Sequence, residues 1–353
     1  MERVYLGSCP EYRVSLIKDF ILEGIGGMEK EFEGARVLLK PNLLSGKSPE
    51  KAVTTHPAVV RAIAEVLRDL GAKIYIGDSP GYESCERVLR VCGLMEVVEE
   101  MGIEIAPFNK KVLVKGEGVS PYRVFTLAED IRSYDGIINL PKLKTHVMMG
   151  LTLGVKNTFG FVPGKEKGRW HLRAGKDRFL FASVLADIHN LVKPTLTILD
   201  GIIGMDGDGP SSGRVRPFGI IAMSKNAFAL DYVIEKRAGI DPPLPLSAVA
   251  IKHGLLGKYE VVDLGAPLIQ GLIPARESAA DWALPGFVKK ILRKLLVKKP
   301  KVKEEMCRGC GVCGSMCPAS AITMEQGLPR FDYRACICCY CCQEMCPEGS
   351  IRV

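Results

Sequence analysis

Over the first 265 residues, short β-branched runs alternate with longer amphipathic ones. Ala35–Lys40 (ARVLLK) is an almost unbroken apolar run, the pattern of a strand covered on both faces. His56–Leu70 places Val59, Ile63, Val66, Leu67 and Leu70 on one helical face. The same reading gives strands at Arg3–Gly7, Lys73–Gly77, Ile103–Ala106, Val112–Val114, Arg123–Phe125, Gly136–Leu140, Thr195–Leu199 and Phe218–Met223. It gives helices at Arg13–Ile25, Glu83–Met101, Phe179–Leu191, Ala227–Arg237 and Leu246–His253. This alternation predicts an α/β domain over residues 1–275, a mostly parallel sheet with flanking helices in Rossmann-like layers.

The apolar strands end on polar groups. The second runs into Lys40-Pro41-Asn42 and the third into Asp78-Ser79-Pro80. Gly136–Leu140 runs into Pro141-Lys142-Leu143-Lys144-Thr145-His146, and Thr195–Leu199 into Asp200-Gly201. In an open parallel sheet, ligands bind where the carboxyl ends of strands meet helix N-termini. Two glycine-rich loops are expected between these elements. Gly150–Gly160 carries Lys156 and Asn157, and Asp200–Gly213 carries Asp200, Asp206 and Asp208. Glycine lets a backbone approach a ligand closely. Lys40, Asn42, Asp78, Lys142, Asn157, Asp200, Asp206 and Asp208 are therefore candidate binding residues, and Lys144, His146 and Lys156 candidate catalytic ones. The competing readings are a solvated lysine cluster and aspartates that only form turns. His56, before Pro57, reads as a helix cap. His171, His189 and His253 read as structural.

Composition narrows the classes. Apolar residues make up 47% of the chain, enough for a packed core. The net charge of +8 resides in residues 286–303, which hold eight lysines and arginines and no acid. The rest sums to zero, which argues against nucleic-acid binding. Within that stretch, Gly286–Val297 predicts a basic amphipathic helix, and residues 276–303 read as a helix and linker. No apolar run reaches about 18 residues, so no transmembrane helix is expected. No signal-type segment opens the chain, and 13 cysteines fit a reducing compartment, so a cytoplasmic protein of anaerobic metabolism is expected. Ser45-Gly46-Lys47-Ser48 imitates the end of a phosphate-binding loop, but Pro41 stands where its first glycine belongs. Neither ATP nor a nicotinamide cofactor is signalled.

The cysteines carry the sharpest signal. The spacing C-x2-C-x2-C-x3-C-P occurs twice, at Cys307, Cys310, Cys313, Cys317 and at Cys336, Cys339, Cys342, Cys346. Three close thiolates wrap one corner set of a [4Fe–4S] cube, and the fourth ligates the other cube. That assigns Cys307, Cys310, Cys313 and Cys346 to one cluster, and Cys336, Cys339, Cys342 and Cys317 to the second. Zinc sites use paired CxxC motifs rather than such triplets. Cys338 and Cys341 fall outside the ligand spacing. Residues 304–353 resemble a bacterial-type two-cluster ferredoxin, a small α+β domain.

Lys40-Pro41-Asn42, Asp78-Ser79-Pro80, Asn139 to His146, Gly154-Val155-Lys156-Asn157 with Gly160, and Asp200-Gly201 followed by Gly207–Pro210 occur in one order. This set resembles domain-of-unknown-function family 362, which is often fused to a ferredoxin module. The resemblance implies that the motif lysines and His146 share a site. Three functions follow. One is an oxidoreductase passing electrons to an anionic small molecule, with His146 or a lysine as proton donor and the aspartate loop orienting substrate or binding a divalent cation or further cofactor. The second is an electron-transfer subunit docking a redox partner protein or low-potential donor. The third is a cofactor or cluster assembly factor.

Overall fold

The computed structural model describes residues 1–116, 118–275 and 299–353. The expected basic helix at 286–297 lies outside the described residues. The strands are β1 (Glu2–Ser8), β2 (Arg36–Pro41), β3 (Lys73–Ile76), β4 (Glu104–Ile105), β5 (Val112–Lys115), β6 (Val124–Leu127), β7 (Gly136–Leu140), β8 (Lys142–His146), β9 (Gly150–Thr152), β10 (Leu196–Asp206), β11 (Arg214–Ser224) and β12 (Tyr259–Leu264). The helices are α1 (Val14–Ile25), α2 (Glu29–Phe32), α3 (Pro57–Asp69), α4 (Cys85–Val91), α5 (Leu94–Met101), α6 (Gly154–Asn157), α7 (Gly164–Ala174), α8 (Arg178–Val192), α9 (Ala227–Arg237) and α10 (Pro245–Lys252).

The main sheet runs β12-β1-β11-β10-β7-β2-β3-β4, with β8 and β9 added beside β10. β10, β7, β2, β3 and β4 are parallel neighbours; β11 is antiparallel to β1 and to β10. The sheet is α/β and mostly parallel, covered on both faces. Val37 and Leu39 pack against the side that holds α1, α3, α4 and α5, while Leu38 joins Phe181, Leu185 and Ile188 of α8 on the other. Strand alternation sends successive side chains to opposite faces, so both must be apolar. His56 caps α3, its Nδ1 accepting the Ala58 N–H at 3.1 Å, with Pro57 at the first helical position. The single helix expected over 83–101 is two, because Gly93 takes φ 73° between α4 and α5.

Both expected glycine loops are largely ordered secondary structure. Gly150–Gly160 divides into β9, α6 and a 3-10 turn. β10 continues through Asp200 to Asp206 with a register shift between Gly201 and Ile203. Its glycines serve packing: a Cβ on Gly201 would stand 2.9 Å from the Ile220 carbonyl, and one on Gly204 would collide with the Leu143 carbonyl. The sheet is too closely layered there for side chains.

The cysteine-rich module has β13 (Lys301–Val302) paired with β16 (Ile351–Arg352), β14 (Ile322–Glu325) paired with β15 (Leu328–Phe331), and short helices α11 (Val312–Ser315) and α12 (Cys341–Glu344). Lys301–Val302, read from sequence as linker, is thus part of the module. Its halves repeat in backbone as in sequence. Gly309 and Gly311 take φ 67° and 72°, and the matching Cys338 and Tyr340 take φ 53° and 61°.

Candidate functional site

The carboxyl ends of β10, β7, β2 and β3 form one rim, as the sheet order requires. The polar residues there are buried and largely satisfy one another. Lys40 Nζ lies 3.0 Å from Asp78 Oδ1, and Asp78 also accepts the Leu43 and Ser79 N–H groups at 2.8 and 2.7 Å. Lys142 Nζ lies 2.8 Å from Asp200 Oδ2 and donates to Tyr12 Oη at 2.6 Å. Tyr12 donates to Asp200 Oδ1 at 2.8 Å and stacks on His56 at 3.5 Å. Lys144 donates to Asn42 Oδ1 at 2.7 Å and to the Val53 carbonyl at 2.6 Å, both neutral acceptors. Burial pushes Lys144 well below the ordinary lysine range, and Lys156 and Lys142 push further.

His146 accepts the Met148 and Met149 N–H groups on Nδ1 at 3.1 and 3.2 Å. An accepting Nδ1 leaves the ring proton on Nε2. That atom lies 2.9 Å from Glu344 Oε1 of the cysteine-rich module, off the line of a well-formed hydrogen bond. Burial lowers His146 to about 4. Burial works against the charge of Glu344, yet His146, Lys156 and His171 hold it down to about 2.

Beside this layer is a cavity of about 90 Å³ between the α/β domain and the module. From the domain it is lined by Asn42, Asp78, Ser79, Lys156, Asn157, Phe159, Lys167 and His171, and from the module by Met316, Cys341, Glu344 and Met345. Of the sequence candidates, Asn42, Asp78, Lys156 and Asn157 reach it. Lys40, Lys142, Lys144, His146 and Asp200 stand behind it or apart from it. Asp206 is bound by Arg214 at 3.0 and 2.9 Å and by Arg216 at 3.1 Å. Two guanidiniums thus surround the Asp206 carboxylate of the aspartate loop. Asp208 stands 3.9 Å from Arg352 of the module and is not among the cavity's lining residues.

Asn157 Nδ2 donates to the Lys40 carbonyl at 3.2 Å and to Asn139 Oδ1 at 2.8 Å, fixing α6 beside the rim. Asp231 accepts the Gly154 and Val155 N–H groups at 2.7 and 2.9 Å, capping the same helix. Lys156 is thus held from both ends of α6. Burial lowers it, with Glu344 pulling the other way. Lys167, which donates to the Ser79 carbonyl, is lowered by burial to about 8. Sequence reading missed Lys167 and took His171 as structural. Their signal was present: Gly164, Lys167, Gly168 and His171 all line the cavity, and their i, i+3, i+4 spacing places them on one face of α7.

In the module, Cys307, Cys310, Cys313 and Cys346 line one small cavity, and Cys317, Cys336, Cys339 and Cys342 a second. None of the 13 cysteines forms a disulfide. Among the described residues no cluster of His, Cys, Asp or Glu converges on a single metal ion; a cube spreads its thiolates wider than a tetrahedral ion does. Backbone N–H groups of Ala321, Cys338 and Ser350 approach Cys317, Cys336 and Cys346 Sγ at 3.2, 3.4 and 3.3 Å. Such donors stabilise thiolate charge and tune a bound cluster.

Fold and site define an iron–sulfur protein in which a large α/β domain is joined to a 4Fe–4S module. Residues 300–323 match the model of the 4Fe-4S binding domain, and residues 37–235 match that of the domain of unknown function DUF362. The chain belongs to the DUF362 family. It is 38% identical over 269 residues to the thylakoid-associated protein sll1697 of Synechocystis sp., covering 75% of this chain and 81% of that protein. The lactate racemase apoprotein of Thermoanaerobacterium thermosaccharolyticum aligns at TM-score 0.40 and 14% identity, over 64% of this chain and 54% of its own. That likeness is too distant to bear on activity. Among the described residues no helix is long and apolar enough to cross a membrane.

Proposed function

We propose that the chain is a two-cluster electron-transfer oxidoreductase that delivers electrons to an anionic group held between its two parts. The donor chemistry fits. Cys307, Cys310, Cys313 and Cys346 would hold one [4Fe–4S] group, and Cys317, Cys336, Cys339 and Cys342 the other. When bound, such groups store and release single electrons. Cys310 is exposed, whereas Cys339 and Cys342 are buried. Each tetrad has two buried cysteines, but Met316 and Cys341, next in chain to Cys317 and Cys342, line the cavity, against Met345 alone beside Cys346. The second tetrad is therefore taken as the inner site and the first, with Cys310, as the outer.

One observation carries the reading. Cys341 lines the cavity that Lys156, Lys167 and Asn157 line from the other side, and its chain neighbour Cys342 lines the second cysteine cavity. The inner cluster site and the cavity are therefore separated by little more than one residue. Reduction of an organic bond needs protons beside electrons. Lys156 and Lys167 are the cavity cations that can hold a proton there, Lys167 with a pKa of about 8. His146 acts one layer back, orienting Glu344.

The test is anaerobic reoxidation of dithionite-reduced holoprotein by a fractionated metabolite extract. A fraction that reoxidises the wild type but not K156M supports the reading. Reoxidation by no fraction, or equally in both proteins, overturns it.

A further inference from the structure

We propose that the cavity between the domain and the module is a binding site for a small carboxylate or oxyanion of a few heavy atoms, gripped by Lys156, Lys167 and His171. The proposal deepens the function given above and rests on it only for the electron chemistry; the binding claim stands on its own observations.

Charge is the first. Lys40, Lys144, Lys156 and Lys167 stand at or just behind the wall, against two carboxylates, Asp78 and Glu344. Asp78 is matched by Lys40. Lys144 spends its hydrogen bonds on neutral acceptors. Lys167 donates to a carbonyl. Among the described residues, Lys156 makes no hydrogen bond or ion pair; Glu344 and Cys341 are the acidic groups whose charge it feels. Lys156 and Lys167 thus line the cavity without a carboxylate bonded to either, Glu344 lying beside His146. Charge withdrawn from water is costly unless paired, and an incoming anion supplies the pair.

An orphaned donor or acceptor is the second. His171 is 4% exposed and lines the cavity, and its Nδ1, closed off from solvent, has no partner. Its ring packs against Phe181 at 4.3 Å and meets Phe159 edge-on at 6.0 Å. Buried polar atoms are nearly always hydrogen-bonded, and an exception calls for a missing partner. Burial lowers His171 to about 4, so near neutral pH the ring is uncharged and offers one N–H and one lone pair.

Size is the third. About 90 Å³ is well under the roughly 300–1,000 Å³ of sites for drug-sized ligands. A carboxylate of two or three carbons, or a single phosphate, fits that volume better than a nucleotide does.

The test is calorimetric titration of anaerobic holoprotein with acetate, oxalate, inorganic phosphate and ATP, beside EPR-monitored redox titrations. We expect at least one of the three small anions to bind and ATP not to. Carboxylate and phosphate arms separate the two chemistries. K156M and K167Q should each weaken binding at least tenfold while keeping the cluster absorbance; K167Q, at a partly exposed site, serves should K156M fail to fold. The bound anion should lower one cluster's midpoint potential and leave the other. Binding by none of the small anions, or equal binding in wild type and K167Q, overturns the proposal. So does a potential shift in K156M with no anion bound by the wild type, since the lysine would then serve the cluster alone. Binding without any reoxidation activity would leave this site standing and remove the oxidoreductase reading.

Discussion

Lys40→Met tests whether the buried lysines are structural ion pairs. The substitution keeps length and apolar bulk and removes the charge. Lys40 Nζ is fully buried, 3.0 Å from Asp78 Oδ1. At that separation and an effective dielectric near 20, the attraction is about 5 kcal/mol. Asp78 keeps two backbone N–H donors, at 2.8 and 2.7 Å, so it is not stripped of partners. Breaking one side of a buried pair costs about 3–5 kcal/mol, and the retained donors place K40M near the lower figure. For a chain larger than 150–250 residues, about 2 °C per kcal/mol is reasonable, giving a fall of roughly 6 °C in Tm. The double variant K40M/D78N removes both charges and should recover about half of that loss. Calorimetry of anaerobic holoprotein is the assay. A K40M protein within 1 °C of wild type, or a double variant as unstable as the two singles summed, would refute the reasoning.

Gly160→Ala places a Cβ against Asp78 Oδ1 and Lys40 Nζ; overpacking there should cost about 1–3 kcal/mol, read as a lower Tm. Tyr340, left-handed and 2% exposed, packs with the core of the α/β domain, so Tyr340→Ala should increase hydrogen exchange along α12 while the domain stays protected. His171 and His189 are lowered by burial to about 4 and about 3, from 6.5. The unfolded chain takes up those protons first, so their stabilisation is complete above about pH 6.5 and is lost as pH falls from there towards 4 and 3. His189→Phe should flatten the Tm profile below pH 6.5; identical slopes would contradict this. Cys338→Ala should retain all iron, because Cys338 occupies the φ 53° position that matches Gly309 rather than a wall of the second tetrad's cavity.

The layers were legible because the sheet is buried on both faces. Ala35–Lys40 and Gly136–Leu140 had to be apolar throughout, and α3 showed its cap and stripe together. The module was legible because cube ligation imposes a spacing that few other constraints produce. β8 was not. Lys142, Lys144, Thr145 and His146 are all buried, but their partners Asp200, Asn42, Gly207 and Glu344 lie 58, 102, 62 and 198 residues away. Polarity read locally as a loop was tertiary pairing. The glycines of Asp200–Asp206 misled in the same way, marking close strand approach rather than a flexible turn. The cavity itself was half legible: α6 announced Lys156 and Asn157, while α7 hid Lys167 and His171 in a mostly polar helix.

The most direct measurement is iron and acid-labile sulfide in anaerobically purified wild type beside Cys342→Ala. Two cubes predict about eight irons per wild-type chain. The variant should fall to about half, with the cluster that remains giving the EPR signal of the outer tetrad. Zinc in place of iron, four irons in the wild type, or an unchanged count in the variant would contradict the relay.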